Sequence, residues 1–265
     1  MVTDFFILMK QELMITVILF ILLFIKVGTK ERSNETILSL VNVLLLLNFL
    51  SGLILNKEGI LFNGMFSTNT LMVLEKAMLN FGILLISMIA YPWLKHHKYV
   101  LEFFMLLLAT LLGMFFMIYS GKLLMFYLGL ELSTIPLAAI ANFDLSKRQS
   151  SEGAMKLIIS SAFSSALLLF GISLLYGTTG TLDFANITQK LDGSSLQLFS
   201  FILLFGGFGF KISVVPFHLW TADVYEGAPA TVTAYLSVIS KAAFIFVFTS
   251  VLYTMFKPLA ASWYN

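Results

Sequence analysis

The apolar stretches of this chain are continuous and about 20 residues long, and that length alone narrows the fold to one class. As helices, such runs match the hydrocarbon thickness of a bilayer. Barrel strands would instead alternate apolar and polar residues over about 10 positions. Inside lipid every backbone N–H and C=O must be satisfied within the protein, which leaves helices as the outcome. Composition closes off the soluble alternative. Of 265 residues, 59% are hydrophobic and 11% charged, against roughly a quarter charged in soluble domains. The chain lacks the polar surface to cover a water-facing core. It is therefore read as an all-α polytopic membrane protein, with the lipid bilayer as its solvent.

Eight spans are expected. The first runs from about Met14 to Val27 and starts nearer Phe5. The next are Ile37–Leu55, Leu71–Tyr91 (stopped by Pro92), Val100–Tyr119 and Leu123–Ala141, with Pro136 inside the last. Then come Ala154–Tyr176, Leu198–Val215 (stopped or broken at Pro216) and about Val232–Phe256. No small-residue cleavage site follows the first run, so it reads as a retained span rather than a signal peptide. The longest polar stretch, Gly177–Ser195, reads as an ordinary loop.

Lys and Arg set the orientation. Connections after the odd spans hold Lys26, Lys30, Arg32, Lys95, Lys98, Lys147 and Arg148; those after the even spans hold Lys57, Lys122 and Lys190. Lys10 and Lys257 lie at the ends, on the even side. The excess places the odd loops in the cytoplasm and the N-terminus on the outer side.

Several chemistries are excluded. With no Cys there is no disulfide framework, thiolate-held iron–sulfur cluster or catalytic thiol. There is no G-x-x-x-x-G-K-[ST] phosphate loop. Gly206–Gly209 lies inside a span and reads as a packing element, not a dinucleotide loop. The three His residues suggest neither a haem pair nor a metal site, and the net charge of +2 gives no reason to expect nucleic acid.

The informative residues are the charges inside the spans. Each costs about 2.5–3.5 kcal/mol at mid-membrane on insertion scales. Glu75 and Lys76 are adjacent, so they point about 100° apart and pair poorly. Near a helix start, they read as interfacial. Glu102, two residues into its span, reads the same way. Lys156 lies in the first turns of the sixth span. Glu131, Lys211 and Lys241 lie too deep to reach the headgroups. An ion pair that merely locks helices is the bland account of them, but small-residue packing would do that at lower cost.

A local pattern recurs around two of these charges. Residues 129–136 read Gly-Leu-Glu-Leu-Ser-Thr-Ile-Pro and residues 209–216 read Gly-Phe-Lys-Ile-Ser-Val-Val-Pro. Gly, charge, Ser and Pro keep the same spacing. Pro136 cannot bond the carbonyl of Leu132, nor Pro216 that of Ile212. Each freed carbonyl needs water or a polar partner. Each charge is thus expected beside a kink that holds water, with Gly129 and Gly209 allowing close helix approach.

The run from Phe208 through Leu236 resembles the signature of the antiporter-like subunits of respiratory complex I, nearest to the subunit N branch. Phe217-His-Leu-Trp and Asp223-Val-Tyr-Glu-Gly-Ala-Pro are its most specific parts. Glu131 in Gly-Leu-Glu-Leu-Ser and Lys156 in Ser-Glu-Gly-Ala-Met-Lys also match. The resemblance covers the whole chain and implies the first half of a 14-helix fold. Residues 1–99 would form three N-terminal helices and 100–256 a five-helix half-channel repeat. Residues 257–265 would be a truncated loop, with the second repeat absent.

The resemblance further implies a proton path through Glu131, Lys211 and Lys241. Glu131 and Lys211 would act as a pair that forms and separates, with Lys156 bridging them electrostatically. His218, after the break, would act as a relay, since histidine is the residue type suited to that task. Electron transfer through NADH, FMN, iron–sulfur clusters and quinone would belong to partner subunits, with no cofactor in this chain. Partners would be the neighbouring antiporter-like and quinone-site subunits of complex I. The setting would be a bacterial cell inner membrane, or an organelle inner membrane. A multi-subunit cation/proton antiporter and a non-pumping scaffold are the alternatives.

Overall fold

In the computed structural model, residues 2–28, 32–54 and 57–260 are described. Lys30, Leu55 and the final residues 261–265 of the expected terminal loop lie outside them. The helices are α1 (Val2–Leu8), α2 (Lys10–Val27), α3 (Asn34–Leu53), α4 (Thr70–Leu94), α5 (Val100–Ile118) and α6 (Leu123–Ala141). They continue with α7 (Arg148–Thr179), α8 (Phe184–Lys190), α9 (Ser195–Ile212) and α10 (Leu219–Gly227). The last span is α11 (Ala230–Ala234), a π-helical turn (Tyr235–Ser240) and α12 (Lys241–Thr254).

Among the described residues, seven helical segments are long and apolar enough to cross a membrane. They are α3 to α7, α9 and the composite span 230–254, so the protein is an integral membrane protein. The eighth expected span is α2. It is 18 residues long but carries Lys10, Glu12 and Lys26, and it packs on α3 and α5 within the bundle.

α5 is the hub, packing on α2, α3, α4, α6 and α12. Its sequence explains why: it is apolar on every face, and such a helix belongs inside. Phe103, Phe104, Leu107, Leu111 and Phe115 are all fully buried. The outer helices instead present Phe20, Phe24, Leu46, Leu47 and Phe163, a surface suited to lipid.

The α5–α6 contact is the tightest. A Cβ built on Gly113 would stand 2.3 Å from the Ser133 nitrogen and 2.7 Å from the Gly129 oxygen. One on Gly129 would stand 2.7 Å from the Met117 nitrogen. Backbone therefore lies directly on backbone, the small-residue approach typical of membrane helices.

Several expectations need correction. Pro92 does not stop its helix: α4 runs to Leu94, and the Lys95 amide still bonds the Tyr91 carbonyl. In the last turn a proline removes only one bond. The sixth span begins six residues early, because polar residues 148–153 carry the helix beyond the apolar run. The stretch read as a plain loop contains α8, whose start is capped by Asp183 accepting from the Ala185 and Asn186 amides. A two-stranded hairpin, β1 (Gly59–Leu61) and β2 (Phe66–Thr68), interrupts the all-α pattern between α3 and α4.

Lys76 is the largest correction. It is 1% exposed and donates to Glu12 of α2, with its Nζ 3.4 Å from the centre of the Tyr119 ring. Interfacial snorkelling is overturned because tertiary packing supplies a counter-charge from 64 positions away. Glu102 does sit at an edge, half-exposed and paired with Lys26.

Candidate functional site

The two copies of the Gly–charge–Ser–Pro pattern fold differently. α6 passes through Pro136 without interruption, held along α5 by the Gly113–Gly129 contact. The second copy breaks. α9 ends at Ile212, and Ser213 takes the left-handed conformation with φ 65° and ψ 44°. The chain re-enters a helix at Leu219. The expected paired kinks are thus one continuous helix and one broken one. The expected close helix approach holds at Gly129. At Gly209 the neighbour is instead Phe217, from the broken segment itself.

The break is tied by side chains. Lys241 Nζ donates to the Ile212 carbonyl at 2.9 Å and also to Ser213 Oγ. The carbonyl singled out from Pro216 therefore does find a polar partner, a cation from the next span. Thr221 Oγ1 bonds Ser213 Oγ at 2.7 Å, and Trp220 Nε1 donates to the Phe210 carbonyl at 3.3 Å. Lys241 Nζ also lies 5.5 Å from the Trp220 ring and 5.8 Å from that of Tyr225, within cation–π range.

Lys241 directly follows the π-helical turn. Tyr235, at the start of that turn, is buried against the Thr110 hydroxyl of α5. A wider turn between two anchored residues resets the rotation of the helix. Here it lets Tyr235 face α5 while Lys241 faces the break. Single π turns concentrate at functional sites for this reason.

Lys211 is 6% exposed. It donates to Ser161 Oγ of α7 and, at 3.3 Å, to Thr134 Oγ1 of α6. Thr134 stands one turn after Glu131 on α6. Glu131 is half-buried, its Oε1 is buried without a hydrogen-bond partner, and no ion pair joins it to Lys211 among the described residues. Lys211 and Lys241 line one cavity of about 20 Å³ together with Thr134, Ser161 and Trp220. A cavity of that size has room for one water.

Two sequence-chosen residues stand apart from this cavity. Lys156 does not bridge Glu131 and Lys211. It bonds Glu152 on its own helix and Asp223 on α10, each at 2.8 Å, with its side chain 42% exposed. The α7 extension carries Glu152 into reach, which explains the different partner. His218 precedes α10 at the break and is exposed in this chain. Sequence reading missed Thr134, Ser161 and Ser213 as partners. Two of them lie inside the repeated pattern, and Ser161 belongs to a run of small polar residues on α7.

Lys241→Met should leave the Ile212 carbonyl without its side-chain donor and Ser213 Oγ with Thr221 alone, at a cost of about 1–3 kcal/mol. The expected result is faster amide hydrogen exchange across residues 213–218; unchanged exchange would show that the lysine does not hold the break.

A broken helix with the buried Lys211 and the half-buried Lys241 lining one water-sized cavity, in a mostly helical bundle, marks an antiporter-like membrane protein. Residues 120–264 match the family described as NADH:quinone oxidoreductase/Mrp antiporter, TM, and the chain belongs to that family. It is 41% identical over 96% of its length to NADH-quinone oxidoreductase subunit N of Phocaeicola vulgatus, and 35% identical over 97% to that of Bartonella bacilliformis. It covers 54% and 53% of those proteins, so the chain spans about half the length of the curated relatives it matches. Among solved structures it resembles a chain of respiratory complex I from Thermus thermophilus with bound aureothin. The TM-score is 0.77 at 26% identity, over 90% of this chain and 52% of that one. A chain of the Mrp complex from Dietzia sp. shares the fold with a TM-score of 0.79, at 18% identity over 93% of this chain and 49% of that one.

Proposed function

We propose that this chain is a proton-translocating membrane subunit of a bacterial NADH–quinone oxidoreductase of the subunit N type. The observation that carries the reading is the water-sized cavity shared by Lys211 and Lys241 across the helix break. Glu131 and Lys211 form the switch. When they approach, their opposite charges hold each other; when they part, that hold is released and a proton is passed on. The hydroxyls of Thr134 and Ser161 hold Lys211 in the parted arrangement. A proton leaving Lys211 then passes through the cavity to Lys241.

Lys156, tied to Asp223, fixes the second limb of the broken helix and adds positive charge nearby. His218 is the group that relays protons beyond the break. The repeat of residues 100–256 is the working unit, and residues 1–99 pack against it. NADH, FMN, iron–sulfur clusters and quinone belong to partner subunits, which supply the driving energy. Moving one charge against the membrane potential takes about 2.3 kcal/mol per 100 mV. The site is the inner membrane, with the N-terminus outside, as the Lys/Arg bias supports.

Glu131→Gln, in the assembled enzyme, tests this reading. Quinone reduction and proton translocation in membrane vesicles are expected to fall together. Full pumping by the variant would reject the role of the pair and favour a scaffold.

A further inference from the structure

Buried charges also meet at a second place, in the N-terminal helices. We propose that Glu12 and Lys76 form a separate proton-exchange site, hydrated from the side of the bundle that carries Lys10 and Lys57. This goes beyond the function proposed above and does not depend on it.

Gln11 and Glu12 are each 2% exposed, and Lys76 1%. Lys76 donates to Glu12 Oε1, while Glu12 Oε2 is buried with no hydrogen-bond partner. Both amide atoms of Gln11 are buried and unpartnered as well. Buried polar atoms that lack a protein partner generally have an ordered water. A cavity of about 10 Å³ lies against Gln11 and Lys76, lined also by Thr68, Tyr119, Lys10 and Lys57. That is about the space of a single water.

Neutral hydrogen bonds already join these helices. Asn48 donates to Asn80 at 2.8 Å, and Ser87 to Asn42 at 2.6 Å. The charged pair adds nothing that a third neutral bond would not, unless its charges change. Other titratable or charged groups around it are Lys10 on α2, Lys57 before β1, Glu75 on α4 and Tyr119 after α5. Lys57 is paired with Asp4 at 2.7 Å. Further along α3 and α4 come the buried Asn48 and Asn80, then the buried apolar Leu45 and Ile83.

The exchange involves only N–H and O–H bonds. Lys76 hands the proton of its hydrogen bond to Glu12 Oε1, which makes both groups neutral. The amine then takes a proton from the hydrated cavity and regains its charge beside the Tyr119 ring. The net event is one proton moved from cavity water to the Glu12 carboxyl, and release is the reverse.

Infrared titration of the full chain in lipid, in H₂O and D₂O, tests this. Wild type is compared with Glu12→Gln and with the double variant Glu12→Gln/Lys76→Met, which leaves no buried charge unpaired and so protects folding. The expected result is a protonated-carboxyl band that grows on acidification, shifts in D₂O and is missing from both variants. A spectrum identical in wild type and double variant would overturn the proposal. So would a Glu12-dependent band that D₂O never reaches, the signature of a sealed structural pair. Because the readout is the carboxyl itself, failure here leaves the role of Glu131 to its own experiment.

Discussion

Lys211→Met is expected to lower proton translocation by about a hundredfold or more, the scale on which a positioned acid–base group contributes. The chain should nevertheless insert and assemble. Methionine keeps the volume of the side chain, and removing a buried ammonium also removes its desolvation cost. That gain offsets the loss felt by Thr134 and Ser161, whose hydroxyls lose one neighbour each. The decisive companion is Lys211→Arg. A guanidinium keeps the positive charge but does not give up its proton in the working range. If Lys211 only held α6, α7 and α9 together electrostatically, arginine would preserve function. If it passes protons, arginine fails as methionine does. Translocation in vesicles and assembly on native gels separate the two outcomes.

Gly113→Ala is expected to destabilise the bundle by about 3 kcal/mol or more, at the upper end of overpacking penalties. The added carbon would meet the Ser133 nitrogen and the Gly129 oxygen, both backbone atoms that no side-chain rotation can move aside. α5 and α6 would have to separate. Since α5 touches four other helices, the displacement would spread. A lowered melting temperature in detergent is the expected reading, together with reduced incorporation into any larger assembly. An unchanged melt would mean that the helices slide apart without consequence.

How far the sequence foretold these features depended on what each required. Apolar length located the spans, and Leu123–Ala141 matches its helix at both ends. Lys211 and Lys241 stood out because a charge deep in such a run has no other means of being tolerated. Their shared cavity follows the expectation that the carbonyl of Ile212 would need a polar partner. The Glu12–Lys76 pair stayed hidden for the opposite reason. Glu12 lies just before its apolar run, where a carboxylate looks interfacial, and its partner is set by tertiary packing. The α7 overhang was hidden because hydropathy marks where lipid ends, not where a helix ends. The π turn has no local signature among Tyr235–Ser240. It follows from two anchors, Thr110 and the break, that are remote in sequence.

Ser213 and the carbonyls around it bear on how fast such a device can work. Ile212 is bonded to Lys241, Phe210 to Trp220, and Asp223 to Lys156, so the interrupted segment is fastened at three points. A segment fastened in that way is a fixed frame rather than a hinge. The mobile part of the proposed path is then the four-carbon stem of Lys211, whose ammonium carries three rotatable donors. A change of rotamer needs no rearrangement of main chain, so the proton step proposed for Lys211 would escape the microsecond-to-millisecond pace of collective helix motion.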